Sequence, residues 1–228
     1  HENLTGDAFN AGRNAISLKK GWNWVGYPVN GVAALEEAFA KTIPTEGDLI
    51  MAKDGKSAEY TGGSWTGDLE NLEPGKGYMY KAEAENAIIY NTAISNKATA
   101  RSYTAPEKYQ SRWVADIHQY PNVMPSAAEL YVNGVKADAE VYSVAAFCGT
   151  ECRGIGKFVK GVLFMGVQGE GGEKIQFLAM NNETEEVYDI TEKMEFTGDR
   201  QGSYNTPFAL HVSGEATEIA DLNEQLKV

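Results

Sequence analysis

The sequence contains few of the residues that usually carry catalysis or bind transition metals. Among 228 residues it has 2 cysteines and 3 histidines, and His1, His118 and His211 lie far apart in the chain. No His-Glu-x-x-His, Gly-x-Ser-x-Gly or phosphate-binding loop occurs. A catalytic triad or a zinc centre needs several such groups held together. We therefore predict a protein that is not an enzyme and that has no metal site and no cofactor.

Carboxylates near predicted turns are the only groups that suggest a metal, because calcium prefers oxygen ligands. No calcium-loop spacing is met, so we expect solvated turn carboxylates. The aspartates concerned are Asp54, Asp68, Asp189 and Asp199.

Basic residues and long apolar runs are also scarce. The chain has 20 Lys and Arg against 32 Asp and Glu, which gives a net charge of -12. Affinity for nucleic acids comes largely from Lys and Arg that displace counterions from phosphates, so nucleic acid is excluded as a partner. The longest apolar run, near 141–148, is far shorter than the roughly 18–20 residues that cross a bilayer. We predict no membrane span in this fragment.

The two cysteines, Cys148 and Cys152, stand close together in Cys-Gly-Thr-Glu-Cys. They could form a disulfide across a tight hairpin loop, which would suit an oxidising compartment. They could equally remain free thiols, half-buried at the ends of adjacent strands. The spacing leaves both alternatives open, and it is not the Cys-x-x-Cys spacing of redox motifs.

Glycine and apolar residues are abundant by contrast. The chain has 24 glycines, 7 prolines and a hydrophobic fraction of 43%, which is typical of a folded, mostly β protein with many turns. Its length suits two domains of about 100 residues each. In residues 1–92 we predict a small α+β domain that is rich in strands. Its one helix, over 32–41, is indicated by Val32, Leu35 and Phe39 at the helical interval.

The remainder of the chain is predicted as a linker, a second domain and a tail. Residues 93–110 are rich in Ala, Ser, Thr and Lys and indicate a linker. Residues 111–214 contain a series of short strands separated by turn residues, which predicts an antiparallel, immunoglobulin-like β-sandwich. Residues 215–228 are the start of a truncated C-terminal segment. The chain has no starting methionine or signal peptide and stops in a strand-like segment, so we expect further sequence on both sides.

Two motifs of the first domain are distinctive: Leu-Lys-Lys-Gly-Trp-Asn-Trp-Val at 18–25 and Leu-Glu-Pro-Gly-Lys-Gly-Tyr-Met-Tyr-Lys at 72–81. Together they resemble a module of multidomain, adhesin-like proteins secreted by Gram-negative anaerobic bacteria. The segment 144–154 resembles an immunoglobulin-like sandwich that often follows this module. The tail at 216–223 resembles the lead-in to a sorting domain. These resemblances imply an extracellular or cell-surface location, including periplasmic or outer-membrane-anchored forms.

Five aromatic residues of the first domain are the best candidates for ligand binding: Trp22, Trp24, Trp65, Tyr78 and Tyr80. Exposed rings in a shallow groove stack on sugars or anchor a protein partner. The alternative is that a small domain needs these large rings for its core. If they are exposed, the partner is a host or dietary glycan, or a surface protein.

Three functions are compatible with this sequence. The first is a non-catalytic, surface-exposed binding or adhesion module of a larger secreted protein. The alternative is a carbohydrate-binding accessory module, and the second alternative is a pair of structural spacer domains. Exposed, coplanar tryptophans would favour carbohydrate binding, a long hydrophobic or charged loop patch would favour protein adhesion, and fully buried aromatics with a bland surface would favour a spacer.

Overall fold

The computed structural model describes residues 10–94, 112–116 and 119–217, and the fold is given for these residues. They form a mostly β protein with one short helix, as the composition predicts. Residues 10–94, called the N-terminal half, and residues 112–217, called the C-terminal half, each enclose an apolar core of their own. Most of the predicted linker, at 95–110, and the tail at 218–228 lie outside the described residues, as does His118.

The N-terminal half is built on a five-stranded antiparallel sheet of order β2-β8-β4-β5-β6. Small two-stranded sheets, β1 with β9 and β3 with β7, lie beside it. The elements are β1 Ile16–Leu18, β2 Gly21–Gly26, β3 Ala33–Ala34, α1 Leu35–Ala38, β4 Leu49–Ala52, β5 Ser57–Thr61, β6 Ser64–Gly67, β7 Asn71–Leu72, β8 Gly77–Ala82 and β9 Asn86–Ile88.

The helix predicted over 32–41 is much shorter in the structure, where α1 spans Leu35–Ala38. Ala33 pairs with Leu72 in β3–β7, so the chain is extended immediately before α1. A helix of one turn gains little from its own hydrogen bonds, and α1 depends on packing instead. Of the three residues at the predicted helical interval, Leu35 and Phe39 are buried in the core, whereas Val32 is only partly buried and lies outside α1.

The C-terminal half forms one continuous sheet of order β13-β12-β16-β17-β18-β10-β15-β14, with β11 paired to β10. All pairs are antiparallel except β10 with β18, the first and last strands, which are parallel. The strands are β10 Asn122–Val132, β11 Val135–Lys136, β12 Tyr142–Cys148, β13 Glu151–Ile155, β14 Lys157–Val159, β15 Val162–Gly169, β16 Lys174–Asn181, β17 Val187–Glu195 and β18 Phe208–Thr217.

This sheet curves until its two ends approach each other. β13 contacts β15 without pairing to it. A Cβ atom on Gly154 would lie 2.5 Å from the carbonyl oxygen of Gly166, so the strands meet through glycine backbone. The result is nearly a barrel around the core of this half. The first strand pairs with β15 and β18, not with β12, and this order does not confirm an immunoglobulin-like sandwich.

The two halves meet along a contact that we call the seam, and backbone forms its centre. Gly55 lies at the tip of the β4–β5 hairpin with φ +86°, a conformation that glycine adopts without strain. This tip packs against Gly166 in β15. A Cβ on Gly166 would lie 2.5 Å from the carbonyl oxygen of Gly55, so a larger residue does not fit at Gly166.

An ion pair between a buried glutamate and a half-buried arginine lies beside the glycine contact. Glu59 of β5 is only 3% exposed, and Arg200 of the other half approaches it at 3.6 Å. The backbone N–H of Tyr204 also donates to Glu59, at 2.8 Å. Arg200 in turn donates to the carbonyl oxygen of Gly47 at 3.2 Å. Because every charge here has a partner, Glu59 can remain buried and the pair can fix how the halves are oriented.

The segment that carries Arg200 is itself held firmly against β10. The N–H of Gln201 donates to the carbonyl oxygen of Pro125, and the N–H of Ala127 donates to that of Gln201, both at 2.9 Å. Pro125 has no N–H, so it suits a position where the strand only accepts a hydrogen bond. Arg200 therefore approaches the seam from a rigid base.

Within the described ranges, no helix has the length and apolar character that crossing a membrane would require.

Substituting Gly166 tests the seam. We expect Gly166→Ala to lower the free energy of unfolding by about 1–3 kcal/mol, because the methyl group would overlap the backbone of Gly55. Gly171→Ala is the matched control, since a Cβ there meets nothing within 4 Å. Urea denaturation of both variants measures the difference. Equal stability of the two variants would show that the halves do not touch at Gly166.

Candidate functional site

An exposed aromatic surface lies on the outer face of β2 and β8. Trp22 and Trp24 share one face of β2, because strand side chains alternate. Across the strand pair, Trp22 lies opposite Lys81 and Trp24 lies opposite Met79. Trp24 is 79% exposed, and the other three side chains are partly exposed. We call this surface, formed by Trp22, Trp24, Met79 and Lys81, the tryptophan ledge.

The ledge is exposed because the C-terminal half covers only part of this sheet face. The same face continues onto β4 and β5, where Leu49 lies next to Lys81 on one side and Glu59 on the other. Leu49 and Glu59 are buried and line a small gap together with Phe164 and Arg200. The seam therefore covers β4 and β5, and β2 and the outer half of β8 extend beyond it.

The other three aromatic candidates do not lie on the ledge. Tyr80 is fully buried and Tyr78 is nearly so. Trp65 is half-buried, with its ring centroid 5.3 Å from that of Phe39 and 6.0 Å from that of Tyr80. Of the two alternatives for the five aromatics, burial places Tyr78 and Tyr80 in the core, and only Trp22 and Trp24 are on the ledge. Side-chain alternation in β8 explains this, because Met79 and Lys81 face outward and the tyrosines face inward.

Tyr80 has a structural partner in the core. Its hydroxyl donates to the carboxylate of Asp48 at 2.7 Å, and burial together with this carboxylate raises the pKa of Tyr80. Asp48 is fully buried and also accepts the N–H groups of Thr45 and Glu83, at 2.9 and 2.8 Å. Each buried group is thus satisfied, which identifies Tyr80 as part of the core.

The two cysteines are free thiols in the structure. Cys148 packs against the main core of the C-terminal half, whereas Cys152 packs against a separate cluster that contains Phe147. The thiols therefore face different apolar clusters and form no disulfide with each other. Burial raises the pKa of Cys152 to about 11, so its thiol is protonated and unreactive at neutral pH.

Arg153 is the centre of a cluster that the sequence analysis missed. It is 4% exposed and donates two hydrogen bonds to Glu173, at 2.9 and 3.0 Å. Glu151 lies 3.3 Å from its Nε atom, and the ring of Tyr120 lies 3.7 Å from the guanidinium carbon. The sequence shows Arg153 beside Cys152, but nothing in it indicates that Glu173, just before β16, is the partner.

His211 is a surface residue with local partners. Its Nδ1 lies 2.6 Å from the carboxylate of Glu192, and its ring stacks on Tyr131 with centroids 5.3 Å apart. Across the described part of the chain, no three His, Cys, Asp or Glu side chains are grouped in a way that could hold a metal ion.

A second candidate site is a cleft beside the seam, which we call the seam cleft. Its larger lobe has a volume of about 570 Å³ and lies between the hairpin tip, the turn at 73–77 and Lys157 of β14. Its smaller lobe, of about 270 Å³, extends between the hairpin tip and β13 and β15. Four residues line both lobes: Asp54, Lys56, Asp68 and Lys157. The charges around the larger lobe are balanced, with Lys53, Lys56, Lys76 and Lys157 facing Asp54, Asp68, Glu70 and Glu73.

Asp68 is the most perturbed carboxyl group of the seam cleft. Its Oδ1 accepts the N–H of Ser57 at 2.8 Å. Burial raises the pKa of Asp68 to about 6, which the positive charge of Lys157 only partly offsets, and Asp54 adds a repulsive charge. A carboxyl group that titrates this close to neutral pH in a cleft is typical of functional sites.

The other charged groups at the cleft are mostly paired. Lys56 lies 2.9 Å from Asp54, and Asp54 is the main reason why the pKa of Lys56 is raised. Lys157 lies 3.5 Å from Glu70, which joins the two halves once more. Ion pairs this exposed contribute little to stability, but they leave the cleft with no strong field of either sign.

A comparison of the chain with protein-family models, curated proteins and solved structures finds no match. The fold and the two surfaces define a mostly β protein with two cores, an exposed aromatic ledge and a polar cleft.

The raised pKa of Asp68 predicts a specific pH dependence of stability. The folded protein holds the proton of Asp68 more tightly than the unfolded chain does, because the pKa of Asp68 in the unfolded chain is near 3.8. The stability that the proton confers is therefore fully present below about pH 4 and is lost as the pH rises through about 6. We expect Asp68→Asn to be more stable than the wild type by about 1–2 kcal/mol at pH 7 and by much less at pH 4.

Urea denaturation at both pH values measures this difference. The control is Asp54→Asn, whose carboxylate is already paired with Lys56. A stability difference between Asp68→Asn and the wild type that does not change from pH 4 to pH 7 would contradict the account of Asp68.

Proposed function

We propose that this chain is a non-catalytic binding or adhesion module of a larger extracellular or cell-surface protein, and that the tryptophan ledge is its contact surface. The observation that supports this most strongly is Trp24, which is 79% exposed on a paired strand. A tryptophan buries about 150–250 Å² when it is covered, and it is among the residues that most often dominate binding energy.

The ring of Trp24 is presented by a rigid backbone. β2 pairs with β8 along its whole length, from Gly21 to Gly26. The side chain of Asn23 closes the turn before the strand, because it donates to the carbonyl oxygens of Lys19 and Gly21 at 2.7 and 2.8 Å. A residue whose backbone is held in this way loses little conformational entropy on binding. This property supports a role for Trp24 as a contact residue.

The location and the topology of the C-terminal half are part of this proposal. The secreted, adhesin-like resemblance of the motifs at 18–25 and 72–81 supports an extracellular or cell-surface location. For residues 111–214 we propose a variant of the immunoglobulin-like sandwich. Strands of mainly antiparallel pairing surround one core, and this arrangement supports the assignment.

Carbohydrate binding is the second candidate function, and the composition of the ledge favours it. Trp22 and Trp24 offer ring faces on one side of a strand, where sugar rings can stack. Lys81 lies opposite Trp22 and 4.0 Å from Glu83, and both offer hydrogen-bonding groups. A spacer role is the third candidate, and the Glu59–Arg200 pair supports it because a spacer must be stiff.

Binding of the purified chain to arrays of host glycans, plant polysaccharides and matrix proteins tests the proposal. We expect Trp24→Ala to weaken binding at least tenfold, or about 1.4 kcal/mol, with an unchanged melting temperature because the ring is outside the core. Ile43→Ala is the matched control, since Ile43 is also exposed and large but lies off the ledge.

The kind of hit distinguishes the candidates. A protein hit that Trp24→Ala abolishes supports adhesion, and a glycan hit that it abolishes supports the carbohydrate module. A hit that Trp24→Ala and Ile43→Ala affect equally would contradict the role of the ledge. No hit on any array would favour the spacer.

A further inference from the structure

The seam cleft is assembled from both halves of the protein. Asp54, Lys56 and Asp68 come from the N-terminal half, and Lys157 and Gln168 come from the C-terminal half. A ligand in this cleft would touch both halves at once. The cleft lies on the side of the seam where the hairpin tip meets β13 and β15, and none of the ledge residues lines it.

The buried amide oxygen of Gln168 is the feature that points to a ligand. Gln168 is 3% exposed, and its Oε1 is buried with no hydrogen-bond partner among the residues that the structure describes. It lies in β15 two residues after Gly166, so its side chain is on the same strand face that meets the hairpin tip. A buried amide oxygen without a partner is unfavourable by about 1–3 kcal/mol, and such an atom in a cleft wall suggests a ligand that satisfies it.

The chemistry of the amide defines what it can recognise. Rotation of the amide by a half-turn exchanges its oxygen and nitrogen, so Gln168 can offer the cleft either an acceptor or a donor. The carboxylate of Asp68 adds one acceptor, its Oδ2, because its Oδ1 already accepts the N–H of Ser57. Lys56 and Lys157 add donors at the rim. Donors and acceptors are therefore interspersed around the same space.

We propose that the seam cleft is a second binding site, which takes a neutral polyhydroxylated ligand such as a mono- or short oligosaccharide across Asp68 and Gln168. A hydroxyl group both donates and accepts, so a sugar pairs with such a mixed wall without requiring net charge. Asp68 and Gln168 both line the smaller lobe, of about 270 Å³, and Asp68 also lines the larger lobe, of about 570 Å³. The ligand would therefore contact Gln168 in the smaller lobe and extend past Asp68 into the larger one, whose volume falls within the range of about 300–1,000 Å³ for ligand sites.

Charged ligands fit this cleft less well. Asp54 and Asp68 repel an anion, and Lys56 and Lys157 repel a cation, because carboxylates and ammonium groups both line the cleft. An isolated charge would have to lose its hydration without finding a field of opposite sign. A sugar hydroxyl is less strongly hydrated than a charged group, and hydrogen bonds to the cleft wall replace the hydrogen bonds to water that it loses.

The test is a titration of the full chain with glucose, galactose, mannose, xylose and N-acetylglucosamine and their linear tetramers, followed by amide NMR spectra. We expect at least one sugar to shift the amide signals of the hairpin tip at 53–57 and of residues 153–157. Gln168→Leu, which keeps the bulk and removes the amide, should weaken this binding at least tenfold. Asp68→Asn should also weaken it, while Trp24→Ala should leave it unchanged.

Several outcomes would overturn the proposal. They are shifts confined to β2 and β8, binding that Gln168→Leu and Asp68→Asn both leave intact, or no shift with any sugar of the panel. Lysine methyl ester and citrate are titrated in parallel, and a shift with either one but with no sugar would contradict the ligand class. The amide spectrum of each variant shows whether that variant is folded. If Gln168→Leu does not fold, the effect of Asp68→Asn on sugar binding decides the test. Because the ledge and the cleft are separate, failure here leaves the proposed role of Trp24 standing.

Discussion

The approach of Gly55 to Gly166 is the contact on which the rest of the structure depends. Two backbones meet there with no side chain between them, which is available only to glycine. The close approach brings the half-buried Arg200 of one half to the buried Glu59 of the other, and the two form an ion pair. Such a pair adds little net stability, but each member would be strongly unfavourable alone. The main effect of the pair is therefore to disfavour other orientations of the two halves, and its contribution to the stability of the observed orientation is small.

Both candidate sites are consequences of how far this seam extends. The C-terminal half covers the outer face of β4 and β5 and ends before β2, so Trp24 is left exposed on a stiff strand. On another side of the hairpin tip, the two halves do not close completely and leave a cleft lined by Asp68 and Gln168. One sheet thus provides the core of the N-terminal half, the seam and the ledge. A loosened seam would change the cleft directly but would alter the ledge little.

The mostly β class and most strand positions could be predicted from the sequence, because alternation and turn glycines are local signals. The same alternation could have separated Tyr80 from Lys81, since neighbouring residues in a strand face opposite sides. The length of α1 could not be predicted, because the pairing of Ala33 that precedes it depends on distant Leu72. The partners of Arg153 and Gly166 are likewise set by packing between remote segments, which no local pattern shows.

The central claim is that the seam makes one rigid body of the two halves. Residual dipolar couplings of backbone amides, measured in residues 16–90 and in residues 122–212, test this most directly. If the seam holds as described, a single alignment tensor will fit both sets of couplings with the two halves oriented as in this structure. Two tensors of different magnitude or orientation would contradict it, because the halves would then move independently and the cleft between them would not persist.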